Sequence, residues 1–393
     1  MNYDFDTKID RRNSNSLKWD VLENELPMWV ADMDFLAAPE IREAISARAE
    51  HGVFGYNILP DAWYEAYQHW WQKYHGFRIE KNWLIFCTGV IPAISSAVRK
   101  LTTPGEKVLI QTPVYNIFFN SVINNGRRVL ESPLCYDNGE YFIDFGQLEK
   151  DLADPQTTMM ILCNPHNPVG KIWDKETLAK IGELCARHHV TVLSDEIHCD
   201  LTAPGLEYTP FASVSETCRK ISVTTIAPTK TFNLAGLQTA AVVVPDEVLR
   251  HKMWRALNTD EVAEPNAFAV DAAVAAFTKG RPWLDALREY LQENKEFVRQ
   301  YIEKELPQLS VVSLDVTYLL WIDCSKIAGS ASKFVHFLRK KTGLYLSEGK
   351  IYGGNGEQFV RMNIACPREL VKDGTERLKQ GVHQYQQAVQ DGK

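Results

Sequence analysis

Between about residue 80 and residue 245 the chain repeats one pattern, in which short runs rich in β-branched residues are followed by polar loops and then by amphipathic stretches. Strands that alternate with helices in this way pair in parallel, because each helix carries the chain back across a face of the sheet. The strand candidates are 107–111, 158–163, 190–194, 221–226 and 240–244. Between the second and third of these, Leu178, Ile181, Leu184 and Cys185 recur at helical spacing behind Asp174, whose side chain suits an N-cap. The segment 174–189 is therefore predicted to be a crossover helix. In an open α/β sheet the ligand crevice lies outside the carboxyl ends of the strands, so the residues just after each run carry the functional information.

The pattern changes further on: 265–305 reads as helical, and 310–375 as the shorter strands and helices of a second α/β unit. A chain of 393 residues exceeds what one small core supports. The expectation is a large α/β domain over 50–285 with a mainly parallel central sheet, and a smaller α/β domain built from 1–49 together with 286–393. Hydrophobic residues make up 45% of the chain and charged residues 24%. No apolar run approaches the roughly 20 residues that span a bilayer. The N-terminal stretch MNYDFDTKIDRRNSNSLKWD lacks the apolar segment of a secretory signal, so a cytoplasmic, non-membrane protein is expected. With 43 basic and 50 acidic residues the net charge is −7, which disfavours nucleic acid as a partner. The eight cysteines are scattered without a CxxC pair and suggest neither a disulfide framework nor a metal site.

Four segments end strands with unusual polar residues: NPHNPVG at 164–170, SDEIH at 194–198, APTKTFNLAGL at 227–237 and FVRMNIACP at 359–367. Singly each has an ordinary explanation, since a lysine after a strand is usually a solvated charge and an aspartate there an N-cap. Together they place an asparagine, an aspartate 28 residues later, a lysine 35 residues after that and a distant arginine. That order matches the needs of pyridoxal 5′-phosphate (PLP). Such an enzyme requires a lysine for covalent attachment of the cofactor and an acid beside the pyridine nitrogen that keeps the ring protonated. Lys230 and Asp195 fit these two roles.

With LPMWVADMDF at 26–35, HGVFGYN at 51–57, TPVYNIFF at 112–119, LCNPHNPVGKIW at 162–173, SDEIHCDL at 194–201 and PTKTFNLAGLQ at 228–238, the sequence resembles the fold-type-I, aspartate-aminotransferase-like PLP enzymes. It is most similar to the cystathionine β-lyases and carbon–sulfur lyases of the MalY/PatB type, and the resemblance covers nearly the whole chain. It implies that Lys230 carries the cofactor, that Asn167 hydrogen-bonds its phenolic oxygen and that Asp195 holds the pyridinium. Tyr115 would stack on the ring, and His198 would orient Asp195 or stand near the phenolic oxygen; a packed core histidine is the other reading of His198. Gly89, Val90 and Ile91, just before Pro92 at a helix start, and Thr229 would hold the phosphate. Arg361 would take the substrate carboxylate as a bidentate fork. Trp29, Asp32, Tyr318 and Trp321 are implied pocket residues, with core packing the other explanation of the tryptophans. Tyr56 would reach the phosphate of the opposite subunit in a homodimer with shared sites.

The sequence departs from the wider family in two places, with Gln238 where many relatives have a phosphate-gripping arginine and Ala227 where some have a hydroxyl. The stretch NTDEVAEPNAFAV at 258–270 is more acidic than a substrate entry suggests. The resemblance implies α,β-elimination of a sulfur amino acid (cystathionine, cysteine or a cysteine S-conjugate) to pyruvate, ammonia and a thiol. Transamination with a keto acid and a non-catalytic PLP-binding regulator are the alternatives.

Overall fold

Strands covered on both faces are rich in apolar residues, as the inner strands of the large sheet are in the computed structural model, which describes residues 3–327 and 329–391. In chain order they are Leu84–Cys87 (β1), Lys107–Ile110 (β2), Arg128–Glu131 (β3), Thr157–Cys163 (β4), Thr191–Asp195 (β5), Ser222–Ile226 (β6) and Ala240–Val243 (β7). The spatial order is β1-β7-β6-β5-β4-β2-β3. All neighbours from β6 to β3 are parallel, whereas β7 is antiparallel to both β1 and β6. The mainly parallel α/β sheet expected from the sequence is thus present. The expected helix spans Lys175–Arg187, and the Asp174 carboxylate accepts from Thr177 N–H at 2.7 Å.

Two strands of this sheet escape the sequence pattern. β1 is only four residues of LIFC, too short to set it apart from a buried turn of helix. β3 lies at the sheet edge, and its RVLE is partly exposed at every position.

The register determines where the chemistry sits. Because β7 runs against both neighbours, β1 points the same way as β6, with Cys87 opposite Ala240 and Ile226 opposite Ala241. The residues that follow β1, β4, β5 and β6 therefore emerge along one edge of the sheet.

The 25-residue helix Arg281–Glu305 buries Trp283, Leu284, Leu287, Leu291, Val298 and Ile302 and leads to a four-stranded antiparallel sheet. Its strands are Ser310–Val311 (β8), Leu319–Asp323 (β9), Ser347–Glu348 (β10) and Phe359–Asn363 (β11), in the order β8-β9-β11-β10. The N-terminal segment joins this part of the molecule: Leu26–Pro27 pairs in parallel with Leu344–Tyr345, and Asp34 N–H donates to Ala365 O at 2.8 Å. On the opposite flank the helix Asp61–His75 buries Trp63, Tyr67, Trp70 and Trp71, with Trp70 and Trp71 each packing on Phe277.

Gly343 makes the N-terminal junction possible. It ends the helix Ala331–Thr342 with φ +73°, and its carbonyl accepts from Leu26 N–H at 2.8 Å. A Cβ on it would lie 2.4 Å from Asn24 O, a backbone atom with no freedom to move aside. Gly343→Ala is therefore expected to lower stability by about 1–3 kcal/mol, combining left-handed strain with a steric clash. Gly76→Ala, at φ +62° with nothing within 4 Å, should cost less. The shift of the urea unfolding midpoint in the two variants measures the difference; equal shifts would show that the Asn24 contact does not matter.

Candidate active site

The edge where the parallel strands end encloses a cavity of about 310 Å³, lined among others by Gly89, Val90, Ile91, Tyr115, Asn167, Asp195, His198, Thr229 and Lys230. These nine expected residues come from five separate segments, brought together by the register of the sheet.

Lys230 stands in the four-residue helix Pro228–Thr231, directly after β6. Its Nζ donates to the Ala31 carbonyl at 2.6 Å, and Tyr318 Oη donates to the same oxygen at 3.0 Å. Burial, and then the Arg361 charge, lower the amine to about 8, while Asp32 and Asp195 act in the opposite sense. A lysine in this state is neutral in a sizeable fraction of molecules near pH 7 and can act as nucleophile or base.

Asp195 ends β5 and is 4% exposed. Burial pushes its carboxyl up to about 7 against the hydrogen bonds from Ile197 N–H and Thr225 Oγ1 and against the Lys230 charge. Both hydrogen bonds fall on Oδ1, at 3.2 and 3.5 Å. Oδ2 takes no hydrogen bond among the described residues, so a protonated ring nitrogen supplied from outside would satisfy it.

His198, three residues on, is buried and lowered to about 3 by burial and by the charges of Lys230 and Arg361. It is thus neutral at ordinary pH. Its Nδ1 is buried and without a partner among the described residues.

Arg361 lies in β11 and is 5% exposed. Its Nη1 donates to Asn167 Oδ1 at 3.3 Å and Nη2 to Trp29 O at 3.0 Å, and the guanidinium carbon sits 4.9 Å from the Tyr352 ring centre. Among the described residues no carboxylate pairs with it, and its Nε is buried and unpartnered. A desolvated guanidinium without a counter-ion is costly and therefore favours binding an anion.

At the other end of the cavity, Gly89 precedes the helix Val90–Leu101. The N–H groups of a first helical turn lack intrahelical acceptors and, with the helix dipole, attract an anion. A Cβ at Gly89 would come within 3.1 Å of Pro92 Cδ, so the glycine keeps the approach open. The donor set thus fits a flat, anionic group carrying a phosphate at the helix start and a protonated nitrogen at Asp195.

The other expected residues lie farther out. Trp29 stacks on Tyr345 with ring centres 4.8 Å apart, and it supplies its backbone carbonyl to Arg361. Asp32 is paired with Arg11 at 2.7 Å and Lys18 at 3.5 Å, and acts on Lys230 through its charge. Trp321 stacks on Phe359 and belongs to the core. Tyr56 is fully exposed and does not line the cavity. The acidic stretch has a structural use, since Asp260 Oδ2 accepts from Ser96 Oγ and from Arg99 Nη2, each at 2.5 Å.

Several contributors were not legible as such. The Ala31 carbonyl, Thr88, Cys163 and Thr239 take part in the cavity, yet their side-chain types announce no chemistry; Gln238, noted in the sequence for the arginine it lacks, lines the cavity too. Ala31 could have been found only through its place inside LPMWVADMDF. Asn363 also escaped notice: its Nδ2 donates to Val30 O and Asp32 O at 2.5 and 2.7 Å and so fixes the backbone that holds Lys230 and Arg361.

A family model described as aminotransferase class I and II matches residues 27–378. The chain is 43% identical over 381 residues to cystathionine beta-lyase PatB of Bacillus subtilis (strain 168), covering 95% of this chain and 98% of that one. It is 33% identical to Protein MalY of Escherichia coli (strain K12), covering 96% and 98% respectively. Among solved structures, cystalysin from Treponema denticola, which contains pyridoxal 5′-phosphate, superposes with a TM-score of 0.95 at 33% identity, covering 98% of this chain and all of that one. With nine of the expected residues gathered in one cavity and this similarity running through almost the full length, the chain belongs to the class I and II aminotransferase family, in the branch that contains PatB and MalY.

Proposed function

We propose that the chain is a PLP-dependent carbon–sulfur lyase, cleaving the C–S bond of cystathionine or a cysteine S-conjugate to pyruvate, ammonia and a thiol. The observation that carries this reading is the sharing of one buried cavity by Lys230, Asp195 and an open helix start, beside a guanidinium that lacks a carboxylate partner. The names of the relatives support the choice of elimination over other PLP reactions.

When bound, the cofactor supplies an electron sink for negative charge developing at the substrate Cα. Each residue then has a definite task. Val90 and Ile91 N–H groups and the Thr229 hydroxyl would hold the phosphate, and Tyr115 would pack against the ring. Asp195 would keep the pyridine nitrogen protonated, and Asn167, with its carbonyl engaged by Arg361, has its Nδ2 free to donate to the phenolic oxygen. His198 stays neutral beside them and adds no charge. Arg361 binds the substrate carboxylate and so fixes how the Cα–H and Cβ–S bonds are oriented. The Lys230 amine, lowered to about 8, would serve as the general base that takes the substrate Cα proton, and the thiolate would leave from Cβ with its bonding electrons.

The division into 50–285 and 1–49 with 286–393 is supported by the pairing of Leu26–Pro27 with Leu344–Tyr345. Among the described residues no helix is long and apolar enough to cross a membrane. All eight cysteines are free, as suits a reducing cytoplasm. The segment around Tyr56 has neither helix nor strand from 52 to 60 and leaves Val53, Phe54, Tyr56 and Ile58 mostly exposed. An apolar run of that kind on a soluble protein suits a subunit interface. The dimer therefore forms across this segment, and Tyr56 serves the phosphate end of the partner's cavity.

Given L-cystathionine and no keto acid, the purified enzyme should release pyruvate, ammonia and homocysteine in equal amounts. Turnover only when a keto acid is supplied would instead make it an aminotransferase. The lowered Lys230 amine gives a second check. Only the neutral amine attacks an aldehyde, so the rate at which the cofactor-free protein captures PLP should rise with pH and level off above about 8. Because the Arg361 charge contributes to that lowering, Arg361→Ala should move the midpoint to higher pH. A profile still climbing at the pH of an ordinary lysine would remove the assigned state of Lys230. For the interface, mixing Tyr56→Ala with Lys230→Ala chains should restore activity, since each mixed dimer assembles one intact site. Mixed dimers as inactive as both parents would rule out the shared site.

A further inference from the structure

The turn after β5 carries Asp195 and His198 to the cavity, but a third residue of the same turn, Asp200, is engaged elsewhere. Asp200 is 5% exposed and accepts three hydrogen bonds. Trp70 Nε1 and His75 Nε2 each lie 2.9 Å from Oδ1, and Thr231 Oγ1 donates to Oδ2 at 3.1 Å. Burial acts to raise the carboxyl, yet the His75, Trp70 and Thr231 contacts outweigh it and hold the group below its ordinary value. Asp200 is therefore a buried carboxylate whose charged form is favoured by three donors.

Thr231 immediately follows Lys230 and is the last residue of the helix Pro228–Thr231. Four residues cannot sustain a helix alone, because nucleation costs more than one turn returns. Contacts must fix its place. Among the described residues only two side-chain hydrogen bonds reach this helix: Lys230 Nζ to Ala31 O, and Thr231 Oγ1 to Asp200. The first uses the amine that the chemistry needs free. The second leaves the amine alone.

Cys199, His75 and Asp200 also bring their ligand atoms within 4.8 Å of one another, a spacing that a metal could span. Three donors already fill the Asp200 carboxylate, and the Arg288 cation acts on it as well. The arrangement is a hydrogen-bonded clamp.

We propose that Asp200 is a positioning residue, which through Thr231 fixes the Pro228–Thr231 helix and thereby sets the Lys230 amine against Asp195, from an anchor that Trp70 and His75 hold in place. The proposal rests on Lys230 being the lysine that carries the cofactor. Its consequence is separable from simple packing: the hydroxyl of Thr231, and not its methyl, matters.

Thr231→Val, Thr231→Ala and Thr231→Ser test it in the holoenzyme with L-cystathionine and in the stripped protein with PLP. Losing the hydroxyl in the Val and Ala variants is expected to lower kcat by about 10- to 100-fold with KM little changed, the size of effect that a displacement near 1 Å produces. Capture of PLP by the stripped proteins should slow in parallel. Thr231→Ser, which keeps the hydroxyl, should restore both to within about threefold of wild type. Wild-type kcat and capture rate in Val and Ala would overturn the proposal, as would a Ser variant no better than Ala. Failure of both Val and Ala to fold would overturn it too, by making Thr231 a residue of the core alone. Borohydride fixation of the cofactor in the wild-type protein checks the premise separately. Fixation at a lysine other than Lys230 overturns the functional reading, whereas fixation at Lys230 alongside unimpaired Thr231 variants overturns only the role of Asp200.

Discussion

Four ionisable groups, Asp195, His198, Lys230 and Arg361, are withdrawn from water at one sheet edge, and much of the surrounding fold exists to make that withdrawal tolerable. A charge in the interior costs several kcal/mol unless partners replace its hydration. Here the replacement is deliberately incomplete. Asp195 has its hydrogen bonds on one oxygen, Arg361 has carbonyls but no carboxylate, and His198 Nδ1 has no partner among the described residues. The carboxyl rises to about 7, the amine falls to about 8 and the imidazole falls to about 3. Each deficit matches a group that a ligand brings: a protonated nitrogen, an aldehyde and a carboxylate.

Partial compensation comes from backbone rather than from side chains, and that explains the role of residues 28–35. Successive carbonyls of this loop serve the site: Trp29 O accepts from Arg361, Ala31 O from Lys230 and Tyr318, and Val30 O and Asp32 O from Asn363. Carbonyls orient and solvate a cation without neutralising it, so Lys230 and Arg361 stay reactive. The loop is held from behind by ions of its own. Lys18, 1% exposed, reaches Asp34 at 2.7 Å, and Arg11 bridges Asp32 and Asp34 at 2.7 and 2.6 Å. Trp19 Nε1 donates to Asp34 as well, at 2.7 Å. The N-terminal segment therefore acts on the site at second hand, by fixing the backbone whose carbonyls accept from Lys230 and Arg361.

This distinction between side chain and backbone also sets what the sequence could disclose. The parallel sheet was legible because burial on both faces demands apolar runs, and the Asp174 cap because its carboxylate has one local use. Lys230, Asp195, Asn167 and Arg361 were legible as candidates because the implied chemistry needs those residue types, the first three at or just after strand ends and Arg361 within β11. β3 was not, since an edge strand exposed at every position has no reason to be apolar. Ala31, Asn363 and the Asp200–Thr231 bond were not, because any residue offers a carbonyl, and because Thr231 and Asp200 meet only through a pairing of turns 31 residues apart. The position of Tyr56 was legible as a motif but not as a place: the single chain leaves it fully exposed, away from the cavity.

The same arithmetic of charge explains how the site manages without an arginine at position 238. Gln238 lines the cavity in a left-handed conformation, φ +51°, and brings no charge to the phosphate end. A second arginine there would add to Lys230 and Arg361 and, by the effect Arg361 already has, lower the Lys230 amine further. The neutral glutamine leaves the amine near 8. Under the proposed function the phosphate would then be held by dipoles, from the start of the Val90–Leu101 helix and the hydroxyl of Thr229, and by whatever a partner subunit contributed through the exposed Tyr56 segment. On that proposal, weaker charge at the phosphate end goes with greater reliance on a second copy of the chain, and the departure from the wider family and the exposure of residues 52–60 would be two aspects of one arrangement.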